Sequence, residues 1–344
     1  MLAVSHVSFR SATIATIAGM ILISQLAVAN EGVNIASELA LEVPTHVAAP
    51  SCPDADDRQW CISTRRISSD VCRINLEQPA FSVSRLNQCG SGVTTFDDYA
   101  STLNDGSQVV IYVHGYRMDA KDVVGRGMSV YRSTRACRSS RPIDWVIWSW
   151  PSNKEGRIIR DVRSKADRTD AQGLYLAWVL RELAERSVPT TLIGYSFGGR
   201  VITGALHALA GGGLKGRRLP GAAVTGLRID AGLVAPAVES NWMTRHGYHG
   251  KATQNLDRLL VLYNKRDAIL KRYWLIDRVR GSMALGYSGP RAFAPRSDGS
   301  KLSVTSRDCS VVVGKHHVEL EYYTSSCRAG SEMAKLINDI EIQH

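Results

Sequence analysis

No Cys-x-x-Cys pair and no His-x-His pair occurs in the 344 residues. Those spacings are the usual sequence mark of a zinc site, so a zinc site is not expected; no other cofactor is expected either. A basic run is missing too. The 42 Lys and Arg residues are scattered among 32 acidic ones, with no interleaved aromatic pattern. The formal charge of +10 therefore reads as a solvated surface, which argues against nucleic-acid binding and leaves peripheral contact with a cell envelope as the one surface partner in view. No internal repeat is visible, and beyond position 29 no apolar stretch is long enough to span a bilayer.

Charge is almost absent before position 30. Arg10 is the only Lys, Arg, Asp or Glu there, an apolar run extends from Ala12 to Val28, and Ala27-Val28-Ala29 supplies a small-x-small cleavage pattern. Residues 1–29 read as a secretory signal peptide, with an uncleaved membrane anchor as the alternative. The expected localisation is export, periplasmic or secreted, after cleavage near Ala29. Residues 30–55, rich in Ala, Pro and Glu, read as a mobile leader. Export makes disulfides plausible for the seven cysteines at 52, 61, 72, 89, 137, 309 and 327, and the odd number leaves one unpaired within the chain. One bridge is expected between Cys309 and Cys327, which bracket a late pair of histidines.

The chain that is left suits one large domain over 56–344. Short alternating segments from Trp60 to Leu86 read as antiparallel edge strands within a cysteine-containing portion, 56–107. Apolar strand patterns follow at Gln108–Val113, Asp144–Trp150, Thr190–Tyr195, Val224–Ile229, Leu259–Tyr263 and Cys309–Val313, with helical patterns between most of them and a last helix over 331–342. Strands apolar throughout and alternating with helices predict an α/β fold, with a mostly parallel central sheet and helices on both faces. The charged stretch 152–172, with Lys154, Arg157, Arg160, Arg163, Lys165 and Arg168, sits where a cap insertion would sit. Its interleaved Asp161, Asp167 and Asp170 favour a salt-bridged solvated face over recognition of an anionic substrate.

The most informative stretch is Gly194-Tyr195-Ser196-Phe197-Gly198, a G-x-S-x-G match between an apolar strand pattern and a helical one. Alone the pattern is weak. The context strengthens it, because a sharp strand-to-helix turn needs flanking residues without a Cβ, and the helix start then points its N–H groups at the serine. In a parallel sheet functional groups gather at the strands' carboxyl ends. The expected ends carry His114-Gly115, Ser196, Asp230, Asp267 and His316-His317. Ser, then Asp, then His is the order in which a nucleophile, an orienting carboxylate and a general base occur in one well-known arrangement.

The strand end Tyr112-Val113-His114-Gly115 together with Gly194-Tyr195-Ser196-Phe197-Gly198-Gly199-Arg200 resembles the α/β-hydrolase superfamily, in particular esterase- or lipase-like serine hydrolases. The resemblance runs from about Val109 to the C-terminus. It implies an α/β-hydrolase fold, Ser196 as nucleophile, and an oxyanion hole from the backbone N–H groups of Phe197 and Tyr116. It also favours Asp267, on the strand before the histidines, over Asp230 as the acid. His317 is preferred as base because it sits farther into its loop, with His316 as the alternative. The implied activity is cleavage of a small-molecule or lipid carboxylic ester through an acyl-enzyme. The alternatives are a thioesterase or acyltransferase with the same triad, or a catalytically silent envelope-binding module. His114 is expected to orient the oxyanion loop, His207 to lie in the core or on the surface, and His246 and His249 in a surface loop.

Overall fold

The computed structural model describes residues 56–338 apart from 88–89, 104–105, 107, 137–141, 278–280 and 325. The expected signal peptide and leader lie outside the described residues, as do Cys52, Cys89 and Cys137. Among the described residues, no helix is long and apolar enough to cross a membrane.

Among the described residues, nine strands form one sheet: β1 (Arg58–Ser63), β2 (Ser82–Asn87), β3 (Gly90–Thr94), β4 (Val109–Val113), β5 (Asp144–Ser149), β6 (Thr190–Tyr195), β7 (Ile229–Val234), β8 (Leu256–Tyr263) and β9 (Ser303–Asp308). Their order is β3-β2-β1-β5-β4-β6-β7-β8-β9. Only the β1–β2 and β2–β3 pairings are antiparallel; the others, β1–β5 included, are parallel. The expected antiparallel edge is found in β2 and β3, with β2 antiparallel to β1, while β1 itself joins the parallel part of the sheet through β5. Trp60-Cys61-Ile62 of β1 are buried because β1 lies inside the sheet, against β5.

Helices cover both faces, which is why β4, β5 and β6 are buried at every position. One face carries α2 (Ala120–Arg135) and α9 (Ala329–Asn338), the other α3 (Ile158–Glu185) and α4 (Phe197–Leu209). Neighbouring residues of β7 show the division, since strand side chains alternate in direction. Gly232 lies under Met333 of α9, while Leu233 packs on the opposite side against Gly199 of α4. Shorter helices complete the order: α1 (Phe96–Ser101), α5 (Trp274–Asp277), α6 (Leu285–Ser288), α7 (Ser310–Val313) and α8 (Glu319–Tyr322).

Three expectations change. Val224–Ile229 is mostly loop, and the strand there runs Ile229–Val234. Cys309–Val313 is not a strand; Ser310–Val313 is a single helical turn, and the last strand is the polar Ser303–Asp308 just before it. As the outermost strand, β9 is paired on one side only and mostly exposed, so its sequence carries no apolar run. The final helix begins at Ala329, and residues 339–342 lie outside the described residues. The charged stretch after β5 forms a loop and then the first half of α3, whose later residues are almost all buried.

Candidate active site

The β6–α4 turn is steep because its glycines let the backbones touch. A Cβ on Gly198 would stand 2.0 Å from the carbonyl oxygen of Val113, and one on Gly194 would meet Gly198 and Gly199 at 2.9 Å. Ser196 occupies the apex at φ 51° and ψ −116°, a conformation that an L-residue adopts only under constraint. The constraint is visible. Ser196 N donates to Val234 O at 3.0 Å, and Ser196 O accepts from Gly199 N and Ala237 N at 3.1 and 3.0 Å. The hydroxyl is thus held at the carboxyl edge of the sheet, just ahead of the first amides of a 13-residue helix.

His317 arrives from the other side. Its Nε2 lies 2.9 Å from Ser196 Oγ, and its Nδ1 lies 2.6 Å from Asp267 Oδ2. A carboxylate can only accept, so Nδ1 carries the proton and the bare Nε2 faces the serine hydroxyl. Asp267 is fully buried, and its other oxygen accepts from the amides of Ile269 and Leu270 at 2.9 and 2.8 Å. The β8 end and the histidine loop are bonded together. Ala268 N donates to Lys315 O at 3.0 Å, and Asn264 Nδ2 donates to Gly314 O at 2.9 Å. A disulfide between Cys309 and Cys327 closes the same loop at its base.

The remaining candidates fall elsewhere. His316 points outward, with Nδ1 3.1 Å from Glu321 and its side chain 46% exposed. Asp230 is the second residue of β7, at the amino end of the sheet, where it is paired with Arg258 at 2.7 Å. Beginning that strand five residues too early is what put Asp230 at a carboxyl end. Burial pushes its carboxyl up, opposed by the Arg258 guanidinium. His246 is exposed, but His249 is fully buried, against the surface placement expected for it; it packs on Trp242 and shares a hydrogen bond with Thr203 at 2.9 Å. His207 is buried beside it.

The loop after β4 crosses close to the serine. A Cβ on Gly115 would stand 2.8 Å from the Tyr195 ring and 3.2 Å from Ser196 Cβ. His114, wholly buried, accepts from Trp150 N through Nε2 at 3.3 Å, so Nδ1 carries the proton and donates to Gly115 O at 2.9 Å. Burial pushes this imidazole down to about 3, opposed by that contact with Gly115. Tyr116 follows, its ring 6.2 Å from that of Phe197 and its hydroxyl 2.5 Å from Asp161 of α3. Lys165, also buried, sits 2.8 Å from Glu155 and 3.7 Å from Asp161. Glu155, drawn down to about 2 chiefly by its contact with Lys165, closes the cluster with Arg168 at 2.9 Å. The interleaved charges of this stretch do pair, but Asp161 and Lys165 are buried and not on the solvated face expected, with Tyr116 and Glu155 from outside the helix as their partners.

A separate surface cleft of about 680 Å³ is lined by Arg65, Asp70, Cys72, Glu155, Arg168 and Lys215 among others, and by none of Ser196, Asp267 and His317. Among the described residues, no three His, Cys, Asp or Glu side chains converge to hold a metal ion.

A mostly parallel sheet with helices on both faces, carrying a serine at a strained strand-to-helix turn with a histidine and an aspartate behind it, is the architecture of an α/β-hydrolase. Residues 91–336 match the family described as alpha/beta hydrolase of unknown function (DUF900), and the chain belongs to that family. Among solved structures it is similar to esterase B from Lactobacillus rhamnosis bound by a C6-C4 SN3 inhibitor, at 13% identity, covering 93% of this chain and 96% of that one with a TM-score of 0.39. Carboxyl esterase 2 from the mycorrhizal fungus Tuber melanosporum is also similar, at 13% identity over 87% of this chain and 93% of that one, with a TM-score of 0.36. No curated protein matches the chain.

Proposed function

We propose that the protein is a serine hydrolase that cleaves carboxylic esters through an acyl-enzyme intermediate. The observation that carries this reading is the chain of contacts from Ser196 Oγ to His317 Nε2 at 2.9 Å and from His317 Nδ1 to Asp267 at 2.6 Å. A serine hydroxyl is a poor nucleophile until a base takes its proton as it attacks. His317 accepts that proton, Asp267 stabilises the resulting imidazolium, and the same proton then passes to the leaving alcohol. Water enters, gives its proton to His317 and attacks the acyl-serine; the acid leaves and Ser196 is restored.

The negative charge that develops on the carbonyl oxygen needs donors already in place. The Phe197 amide at the start of α4 and the Tyr116 amide in the loop beside Ser196 are assigned this role, and one such donor is worth roughly 3 kcal/mol. The helix N-terminus adds a favourable field at the same place. Export of the chain is part of the proposal. It rests on the pattern of residues 1–29 and on a disulfide that an oxidising compartment would preserve.

Hydrolysis of p-nitrophenyl esters of graded acyl length tests the reading. The wild type is expected to turn over, and Ser196→Ala to lose at least about 10³-fold in kcat. Equal rates for the two proteins would remove Ser196 from the reaction. No turnover of any ester by folded wild type would favour a binding role for the fold.

A further inference from the structure

Glu319 opens α8 two residues beyond His317, with its carboxylate almost wholly buried. A buried acid needs partners. The hydroxyl of Tyr112, on β4, lies 3.0 and 2.8 Å from its two oxygens, and the Arg126 guanidinium of α2 lies 3.8 Å away. A second tyrosine holds the other end of the segment. Tyr195 of β6 donates its hydroxyl to the backbone oxygen of His317 at 2.8 Å, and its ring stacks on the imidazole with centroids 5.2 Å apart. Tyr112 pairs with Ile193 across β4 and β6, so Tyr112 and Tyr195 rise from one face of neighbouring strands, about 7 Å apart along the strand direction. His317 to Glu319 is thereby gripped at both ends by the two strands that lead to the Gly115 loop and to Ser196.

We propose that Glu319 is a positioning residue for the base: its contact with Tyr112, acting with Tyr195, fixes the distance and plane at which His317 meets Ser196. The proposal rests on the reading of Ser196 and His317 as nucleophile and base. It also gives the carboxylate an electrostatic part. The charged and titratable groups facing Glu319 are Tyr112 from β4, Arg126 from α2, Tyr195 from β6, and His317 and Tyr323 from its own segment. Burial pushes the carboxyl up to about 7, opposed by Arg126, the Tyr112 hydroxyl and His317. Ionised Glu319 favours protonated His317, the form created as the serine gives up its proton, whereas the neutral acid does not. Ionisation of Glu319 is therefore expected to raise the activity, with the basic side the more active.

The test follows phosphonylation of the full protein by a fluorophosphonate from pH 5 to 9, in wild type, Glu319→Gln and Tyr112→Phe. Glu319→Gln keeps the shape of the side chain. Its limiting rate at pH 8 is expected to fall about tenfold or more, as for any slight misplacement of a reacting group. The concentration of probe giving half-saturation stays the same, and the pH profile changes shape, because the contribution of the Glu319 carboxylate is lost while the base His317 remains. Tyr112→Phe is expected to slow the reaction while keeping the carboxylate's contribution to the profile, shifted toward higher pH by loss of a hydrogen bond to it. Wild-type rate and profile in Glu319→Gln would overturn the proposal, as would the same result in Tyr112→Phe if Glu319→Gln does not fold. A wild type that does not react at all would instead overturn the assignment of Ser196 beneath it.

Discussion

Asp267 Oδ2 and His317 Nδ1 lie 2.6 Å apart although fifty positions separate them in the chain. The contact exists because β8 delivers the aspartate to the carboxyl edge of the sheet and the β9 loop is bonded back onto it through Ala268 and Asn264. Asp267→Asn would present a donor where Nδ1–H needs an acceptor and would favour the wrong tautomer. Its kcat on an ester is expected to drop about 10⁴-fold with little loss of stability. Asp230→Asn makes the converse case. It leaves kcat within about twofold and lowers stability by about 2 kcal/mol by removing the ion pair with Arg258, read by urea unfolding beside the kinetics.

The turn around Ser196 yields a steric prediction. Gly198→Ala sets a methyl 2.0 Å from a backbone oxygen that has nowhere to go, so it is expected to cost roughly 3 kcal/mol and most of the activity. Gly314→Ala is the control in the histidine loop. Gly314 has φ 66° but open space around a Cβ, so only backbone strain of about 1 kcal/mol applies. Equal losses in the two variants, measured by thermal unfolding, would mean that close packing is not what selects glycine at 198.

Much of this architecture was legible in sequence, for identifiable reasons. β4, β5 and β6 are covered on both faces, so their apolar runs are continuous and their ends could be placed; the ends of β4 and β6 locate Gly115 and Ser196. β7 is preceded by a loop with Val224 and Leu227 that reads as strand, which shifted Asp230 to the wrong end. β9 is an edge strand with an exposed polar sequence, and the apolar Ser310–Val313 turn after it took its place in the pattern. His317 could be favoured over His316 only on position within the loop; what separates them is that Tyr195 and Asp267 hold one ring while Glu321 holds the other. Glu319 gave no sequence signal, and Asp161 and Lys165 read as part of a solvated face, since a buried charge looks like a surface charge until its partners are known.

The Cys309–Cys327 bridge spans a separation of 18 residues that includes His317. Closing a loop of that size is worth about 3 kcal/mol by chain entropy. Reduction, or Cys309→Ser with Cys327→Ser, is expected to lower Tm and to expose this segment to limited proteolysis before the rest of the fold. A reduced protein with unchanged Tm would show that the hydrogen bonds to Asn264 and Ala268 suffice.

His114 makes the fold sensitive to acid. Its folded-state value of about 3 lies below the 6.5 of a free imidazole, so the unfolded chain binds a proton that the folded one refuses. The stability it contributes is fully present above 6.5 and is lost as pH falls toward 3. Asn at 114 can keep the donor to Gly115 without titrating. His114→Asn is therefore expected to flatten the decline of unfolding free energy between pH 6.5 and 4 relative to wild type. Parallel curves for the two proteins would mean that His114 is already accessible to protons in the fold.

The central claim is that Ser196 is an activated nucleophile, and it is tested most directly by locating a covalent adduct. Purified protein treated with a fluorophosphonate would be digested and mapped by mass spectrometry, beside Ser196→Ala, His317→Ala and His316→Ala. The expected result is a single phosphonate on Ser196, absent in Ser196→Ala, slowed at least about 10³-fold in His317→Ala and unchanged in His316→Ala. Folded wild-type protein that takes no adduct, or takes it on another residue, would contradict the account.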